Sequence, residues 1–207
     1  MPTKRLFAVI HVSSLEQAVR NAGVAARAGC DGIFLISHNV LDYEELALCI
    51  RPCREIIPYV GANFLDLFAE DAAVFASFNG IPAVWTDRTY GGLKPQGLEI
   101  FSGFAFKYMP QPRDLVAEAK LAAECCHVLT TSGPGTGKPA DVEKVKAIRA
   151  AVEGVRLALA SGVSVDNVED YFPYVDDFLV ATGISSTWSE LDPERTKELA
   201  DVIHASV

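Results

Sequence analysis

Eight short apolar runs recur along the chain at intervals of roughly 20 to 30 residues, and they constrain the fold more than any other feature. They cover residues 6–10, 32–36, 58–62, 82–85, 103–106, 127–130, 156–160 and 178–181. A continuous apolar run of this length is typical of a strand that is buried on both faces. Because helical patterns separate most of these runs, the strands are expected to lie parallel in one sheet.

The segments between the runs carry helix signals at both ends. Ser14 is expected to cap the first helix and Gly29 to end it, a helix is expected at residues 165–174, and Asp192 precedes the last helix. Residues 88–101 are the exception, because three glycines and a proline leave room for little helix. Eight such units predict one (β/α)8 TIM barrel over residues 1–207, with short loops and a weak or missing fourth helix. An open doubly wound sheet is the alternative.

Composition excludes several classes of protein. The 207 residues carry 27 acidic and 18 basic side chains, a net charge of −9 without a dense basic stripe, so nucleic acid is not an expected partner. No apolar run reaches the length of a membrane span, and the short N-terminal run lacks the features of a signal peptide. We therefore expect a cytoplasmic protein with no membrane contact. The five cysteines match no metal-binding spacing and are expected to be free thiols.

A polar residue follows every predicted strand. In a barrel these strand ends lie on one face, so the side chains are expected to line a single pocket. They are His11, His38, Asn39, Asn63, Asp87, Lys107, Thr131, Ser132, Ser161 and Thr182.

Lys107 and Asp87 are the candidate catalytic residues. A buried lysine has a lowered pKa and can act as a base or a nucleophile, and Asp87 can act as a general base. Alternatively, Lys107 pairs with Asp87 only for charge balance, or Asp87 caps a turn.

The remaining polar side chains of this set are candidates for substrate contacts. His11, His38, Asn63 and Thr131 are expected to contact hydroxyl or carbonyl groups of the substrate. His11 and His38 could instead join Asp87 as metal ligands. We expect neither a metal nor a cofactor.

Two turns late in the chain indicate a phosphate site. Ser161-Gly162 and Thr182-Gly183 each place a hydroxyl residue beside a glycine after a buried strand. Backbone N–H groups in such turns can approach an anion closely, and the seventh and eighth loops of a barrel commonly hold phosphate.

The glycine-rich segment at residues 132–139 is similar to a nucleotide-binding P-loop but lacks two of its residues. Ser132 stands where the first glycine is needed, and Pro139 where Ser or Thr should contact Mg²⁺. The segment is therefore interpreted as a mobile lid over the phosphate site. A merely flexible loop is the alternative.

Several of these segments resemble the BtpA/SgcQ family, most strongly from about Lys107 to the C-terminus. They are Ile10-His11, Phe106-Lys107, and residues 130–139, 160–168 and 191–195. The seventh and eighth turns are also similar to the phosphate-binding turns of the tryptophan synthase α-subunit. The resemblance implies a ribulose-phosphate-binding barrel, with phosphate contacts at Gly162 and Gly183 and further contacts from Ser161, Thr182, Ser132 and Gly133.

These observations favour an enzyme acting on a small phosphorylated metabolite, either a sugar phosphate or a phosphoribosyl compound. Its phosphate would lie in the loops after strands seven and eight, with acid/base chemistry near Lys107 and Asp87. The alternative is a non-catalytic assembly or regulatory factor that uses the same pocket as a ligand sensor, since the family is named for a role in photosystem I assembly. A homo-oligomer is possible in either case.

Overall fold

Eight parallel strands close into a barrel in chain order, in a computed structural model that describes residues 3–38, 40–65 and 67–206. The strands are β1 (Arg5–His11), β2 (Gly32–Ile36), β3 (Val60–Asn63), β4 (Ala83–Thr86), β5 (Glu99–Gly103), β6 (Val128–Ser132), β7 (Arg156–Ala160) and β8 (Asp177–Val180). The pairing of β1 with β8 closes the sheet, which confirms the predicted barrel and excludes the open doubly wound alternative. Asn39 lies outside the described residues.

Helices follow the strands as expected, except after β4 and β7. They are α1 (Leu15–Ala28), α2 (Tyr43–Leu48), α3 (Ile50–Arg54), α4 (Ala69–Phe78), α5 (Leu115–Cys125), α6 (Val142–Ala151) and α7 (Pro193–His204). Ser14 caps α1 through the amide of Gln17, and Gly29 ends it with a φ of 87°. Residues 87–98, all of them described, contain no helix, so the missing fourth helix is confirmed.

The alternation of side chains along each strand divides the core into two layers. One layer fills the barrel, and the other lies between the barrel and the helices. At the N-terminal end of the barrel, the buried Asp177 accepts hydrogen bonds from Arg5 and Arg156, and Arg5 also pairs with Glu99. These charges pair with one another at that end of the barrel.

Two predicted elements were wrong. The fifth strand lies at Glu99–Gly103 and not at residues 103–106, because Ala105 has a φ of 46°, which is incompatible with a strand. The apolar run that suggested a strand is instead a buried turn, in which Phe106 covers the barrel interior. The helix predicted at residues 165–174 is only a 3-10 turn, Val168–Tyr171, because Asn167 bonds back to Gly162 and Ser164.

The five cysteines are free, and all but Cys125 are buried. Burial raises the pKa of Cys30, Cys53 and Cys126 to about 12, so these thiols are unreactive at neutral pH. In the described ranges, no helix has the length and apolar character to cross a membrane.

Candidate functional site

A cavity of about 390 Å³ opens at the C-terminal end of the barrel, where the polar strand ends converge. Its volume is within the usual range for a small-molecule site. Apolar side chains from the strands form its floor, and polar side chains from the loops form its rim. The lining residues are Val9, His11, Ile36, His38, Leu65, Trp85, Asp87, Lys107, Tyr108, Thr136, Ser161, Leu179, Ala181, Thr182 and Trp188.

Lys107 reaches this cavity from a turn that follows β5. The amide of Lys107 donates to Ser132 Oγ at 2.8 Å, which fixes the turn against β6. The Lys107 Nζ donates to Thr136 Oγ1 and to Ser161 Oγ, each at 3.3 Å. Burial lowers the pKa of Lys107, and the nearby Asp87 carboxylate opposes that effect. The Lys107 Nζ thus contacts two hydroxyl groups. The charge-balance alternative requires a contact with the Asp87 carboxylate, which Nζ does not make.

Asp87 is held on the rim of the cavity by Asn63. The Asn63 Nδ2 donates to Asp87 Oδ1 at 2.9 Å, and Asn63 is only 2% exposed. Burial raises the pKa of Asp87, although the hydrogen bond from Asn63 and the proximity of Lys107 and His38 act against the shift. A carboxyl whose pKa is raised toward neutrality is suited to exchange a proton with a ligand. Asn63 orients this carboxyl, and a direct contact of Asn63 with substrate stays a prediction.

His11, His38 and Trp188 form one wall of aromatic rings. The ring centroids of His11 and Trp188 lie 4.0 Å apart, and those of His11 and His38 lie 4.9 Å apart. Burial, together with the smaller effects of His38 and Lys107, lowers the pKa of His11 to about 4. Burial also lowers the pKa of His38. Both imidazoles are therefore neutral at pH 7 and can donate or accept a hydrogen bond.

The low pKa of His11 predicts a pH-dependent stability. Because the folded-state pKa of His11 lies below its ordinary value of 6.5, the folded protein loses stability as pH falls from 6.5 through about 4. We expect the His11→Gln variant to lose less stability over this interval, measured by urea unfolding at several pH values. NMR titration of the ring protons should give His11 a pKa near 4, with the variant identifying its resonance. A His11 that titrates near 6.5 would contradict the buried environment.

The metal alternative is not supported by the geometry. In the described ranges, no three His, Cys, Asp or Glu side chains are grouped so that they could hold a metal ion. His11 and His38 contact each other and Trp188 through their rings, and the carboxyl of Asp87 is bonded to Asn63.

Trp188 is a site residue that the sequence reasoning missed. Its loop is tied to α1, because Asn21 Nδ2 donates to the carbonyl of Ser189 at 3.1 Å and Asn21 Oδ1 accepts from the amide of Leu191 at 2.7 Å. Gln17 also donates to the carbonyl of Ser189. The signal for this contact was present in the sequence as two amide side chains on the inward face of the first helix.

The two glycine turns lie where loops pack against each other. A Cβ on Gly162 would be 2.1 Å from the Lys138 carbonyl oxygen, and one on Gly183 would be 2.0 Å from that of Val163. The absence of a side chain at both positions is thus required for loop packing. Ser161 and Thr182 line the cavity beside them, while phosphate contacts by the two glycines remain predictions.

Three other predicted contact residues lie away from the cavity. Thr131 is fully buried. Because side chains alternate along β6, Thr131 points away from the barrel interior, whereas Thr130 and Ser132 point towards it. The Ser132 hydroxyl accepts from the Lys107 amide and donates to the Gly133 carbonyl at 2.9 Å. Ser132 and Gly133 line a separate space between two loops. Contacts of these three residues with substrate or phosphate stay predictions, and the hydroxyl of Ser132 positions Lys107.

The glycine-rich loop lies over the cavity, as a lid would. Thr136 contributes to the lining, its amide bonds to the Tyr108 hydroxyl at 3.3 Å, and Ser161 Oγ donates to the Gly135 carbonyl at 3.2 Å. Neither Tyr108 nor Thr136 was singled out from the sequence. Whether this loop moves stays a prediction.

Comparison with known proteins agrees with this architecture. Residues 112–205 match the BtpA family. The predicted resemblance of the second half of the chain to this family is thereby confirmed. The uncharacterized protein TK2179 of Thermococcus kodakarensis is 32% identical over 77 residues, which cover 36% of this chain and 29% of that protein. The alignment thus spans less than a third of TK2179.

Two solved structures illustrate the similarity in fold. Phosphoribosyl anthranilate isomerase from Thermus thermophilus has a TM-score of 0.66 at 15% identity, covering 97% of this chain and 98% of that one. KGPDC from Streptococcus mutans in complex with D-R5P has a TM-score of 0.70 at 15% identity, covering 97% of each chain. At these identities the similarity establishes the TIM-barrel fold.

Proposed function

We propose that this chain is an enzyme acting on a small phosphorylated metabolite of the sugar-phosphate or phosphoribosyl type. The observation that carries the proposal is the position of the Lys107 ammonium. It lies in the cavity between Thr136 and Ser161, which belong to the loops after β6 and β7. A cation and two hydroxyls that converge on a cavity are the groups that bind a phosphate.

Backbone strain around the same point supports this role. Ala105, Tyr108 and Ser161 are the non-glycine residues with positive φ in the described part of the chain, at 46°, 62° and 81°. Each such conformation costs of the order of 1–3 kcal/mol, and this kind of strain tends to accumulate at functional sites. Ala105 and Tyr108 lie on either side of Lys107 in the chain, and the Ser161 hydroxyl contacts the Lys107 amine.

The phosphate would also contact the turns at Gly162 and Gly183. Among the described residues, no backbone acceptor bonds to the amide N–H of Gly162 or of Gly183, so both amides are free to donate to phosphate oxygens. The TIM barrels with which this chain shares its fold include an isomerase named for a phosphoribosyl compound and a structure bound to D-R5P. These features favour a phosphate held by the loops after β7 and β8.

The reaction proposed is a proton transfer on the carbon skeleton. With its phosphate beside Lys107, a substrate would extend over Val9 and Trp85 towards Asp87. Asp87 would remove or return a carbon-bound proton, with the electron pair of the C–H bond staying on the substrate, while Lys107 holds the phosphate. A non-catalytic ligand sensor would need the phosphate contacts but no proton transfer.

The proposal predicts that binding depends on the phosphate group. We expect D-ribulose 5-phosphate to bind at least tenfold more tightly than D-ribulose, since charged hydrogen bonds contribute about 1.5–3 kcal/mol. Isothermal titration calorimetry with both compounds gives the ratio, and Ser161→Ala should reduce it by removing one hydroxyl. Equal affinities for the two compounds would contradict the phosphate site.

A second experiment on the same protein preparation distinguishes an enzyme from a non-catalytic ligand sensor. A panel of phosphorylated sugars and phosphoribosyl compounds in D₂O, followed by NMR, should reveal one whose carbon-bound proton exchanges or whose skeleton changes. Phosphate-dependent binding without exchange or turnover of any bound compound would favour the non-catalytic alternative.

A further inference from the structure

Trp85, one of the residues that line the cavity, has a buried N–H group without a hydrogen-bond partner among the described residues. Within the described residues, four buried side-chain atoms have no hydrogen-bond partner: His11 Nδ1, Trp85 Nε1, Thr130 Oγ1 and Thr131 Oγ1. Two of the four, His11 Nδ1 and Trp85 Nε1, belong to residues that line this cavity.

An unpaired indole N–H is unusual at such a depth. Trp85 is only 5% exposed, on β4, and packs against Phe34 and Phe106 with centroid distances of 6.2 and 5.9 Å. At least nine-tenths of buried polar groups in proteins have a partner, because leaving one unpaired costs free energy. A phenylalanine would fill much of the same space without that cost, so packing alone does not account for the indole nitrogen.

We propose that Trp85 Nε1–H, with His11 Nδ1 as a second group, binds an oxygen atom of the substrate at the cavity floor. The indole N–H can only donate, so its partner must be a carbonyl, carboxylate or hydroxyl oxygen. The neutral imidazole of His11 can accept from a hydroxyl or donate to a carbonyl, according to its tautomer.

This inference rests on the proposed function and narrows its substrate class. The phosphate lies beside Lys107 on the rim, and the oxygen-binding groups lie deeper, on β1 and β4. The substrate is then a phosphate ester whose carbon chain carries a hydroxyl or carbonyl oxygen away from the phosphate. A phosphate ester with a purely apolar chain would leave the indole N–H unpaired and bind less well.

The experiment compares two phosphate esters of similar length, D-ribulose 5-phosphate and n-pentyl phosphate. We expect the wild-type protein to prefer the sugar phosphate in calorimetric titrations. Trp85→Phe, which keeps an aromatic ring but removes the N–H, should weaken sugar-phosphate binding by about three- to tenfold and leave n-pentyl phosphate binding unchanged. A variant that weakens both esters equally, or neither, would overturn the inference while the phosphate site stands.

If the Trp85→Phe variant does not fold, tryptophan fluorescence tests the inference instead. The chain has two tryptophans, so Trp188→Phe leaves Trp85 as the sole indole fluorophore. Saturation with D-ribulose 5-phosphate should shift the emission of Trp85, and n-pentyl phosphate should not. An emission spectrum unaffected by the sugar phosphate would also overturn the inference.

Unphosphorylated D-ribulose separates this inference from the proposed function. If neither phosphate ester binds but D-ribulose shifts the Trp85 emission, the phosphate site is wrong and the oxygen subsite stands. If none of the three compounds binds, both are overturned.

Discussion

Replacing Lys107 by methionine is expected to weaken the binding of D-ribulose 5-phosphate by roughly 10- to 100-fold while the protein remains folded. Methionine keeps much of the apolar stem but removes the charge that bonds to Thr136 and Ser161. Hydrogen bonds of a charged group contribute about 1.5–3 kcal/mol, which corresponds to this range of affinity. Because burial already disfavours the Lys107 ammonium, its removal should cost little thermal stability. Calorimetry and thermal unfolding of the same preparation measure both effects.

Two other lysines on α6 provide matched controls for this experiment. Among the described residues, Lys146 pairs only with Glu143 at the surface, so Lys146→Met should change neither binding nor stability appreciably. Lys144 Nζ donates to the carbonyls of Ala105 and Ser132 at 2.6 and 2.9 Å, so Lys144→Met should mainly lower stability. A Lys107→Met protein that binds D-ribulose 5-phosphate with wild-type affinity would refute the role of Lys107 in phosphate binding.

Replacing Gly162 by alanine is expected to destabilise the protein by about 3–5 kcal/mol, in the range that marks an exceptional substitution. Two costs combine at this position. Its φ of 72° is unfavourable for any residue with a Cβ, and the added Cβ would lie 2.1 Å from the Lys138 carbonyl oxygen and 2.5 Å from the Pro139 nitrogen. These are backbone atoms, so the loop after β6 would have to move away from the loop after β7. Urea unfolding of variant and wild type gives the difference in free energy.

Gly154 isolates the conformational part of that cost. Its φ is 78°, but an added Cβ would have no neighbour within 4 Å. Gly154→Ala should therefore cost only about 1–2 kcal/mol. If Gly162→Ala costs no more than Gly154→Ala, the close packing of the two loops is not what requires glycine at residue 162.

The position of a site residue could be predicted from the sequence when the residue lies at the end of a strand, and less well when it lies elsewhere. His11 and Asn63 end β1 and β3, so counting strands was enough to place them at the cavity face. Thr131 was misplaced, because a shift of one residue along a strand reverses the direction of the side chain. Lys107 reaches the cavity although its strand was misassigned, because a turn with two positive φ values brings it back to the rim.

The residues that the sequence reasoning did not find are held by contacts distant along the chain. Trp188 is positioned by Gln17 and Asn21, which lie about 170 residues earlier. Thr136 lies beside Lys107 through a hydrogen bond between two loops. No local pattern encodes such a pairing, because it depends on how the closed barrel places its loops.

The sequence by itself determined the barrel, since buried runs alternating with helices leave a chain few other ways to cover both faces of a parallel sheet. It also determined that polar residues at the C-terminal ends of the strands surround the candidate cavity. Only the tertiary structure decided which of these side chains meet. Barrel closure brings Lys107 to the hydroxyls of two later loops, and leaves Asp87 with Asn63. Among the described residues, it also leaves the Trp85 indole N–H without a hydrogen-bond partner. Which polar groups meet depends on three-dimensional geometry that residue spacing does not contain.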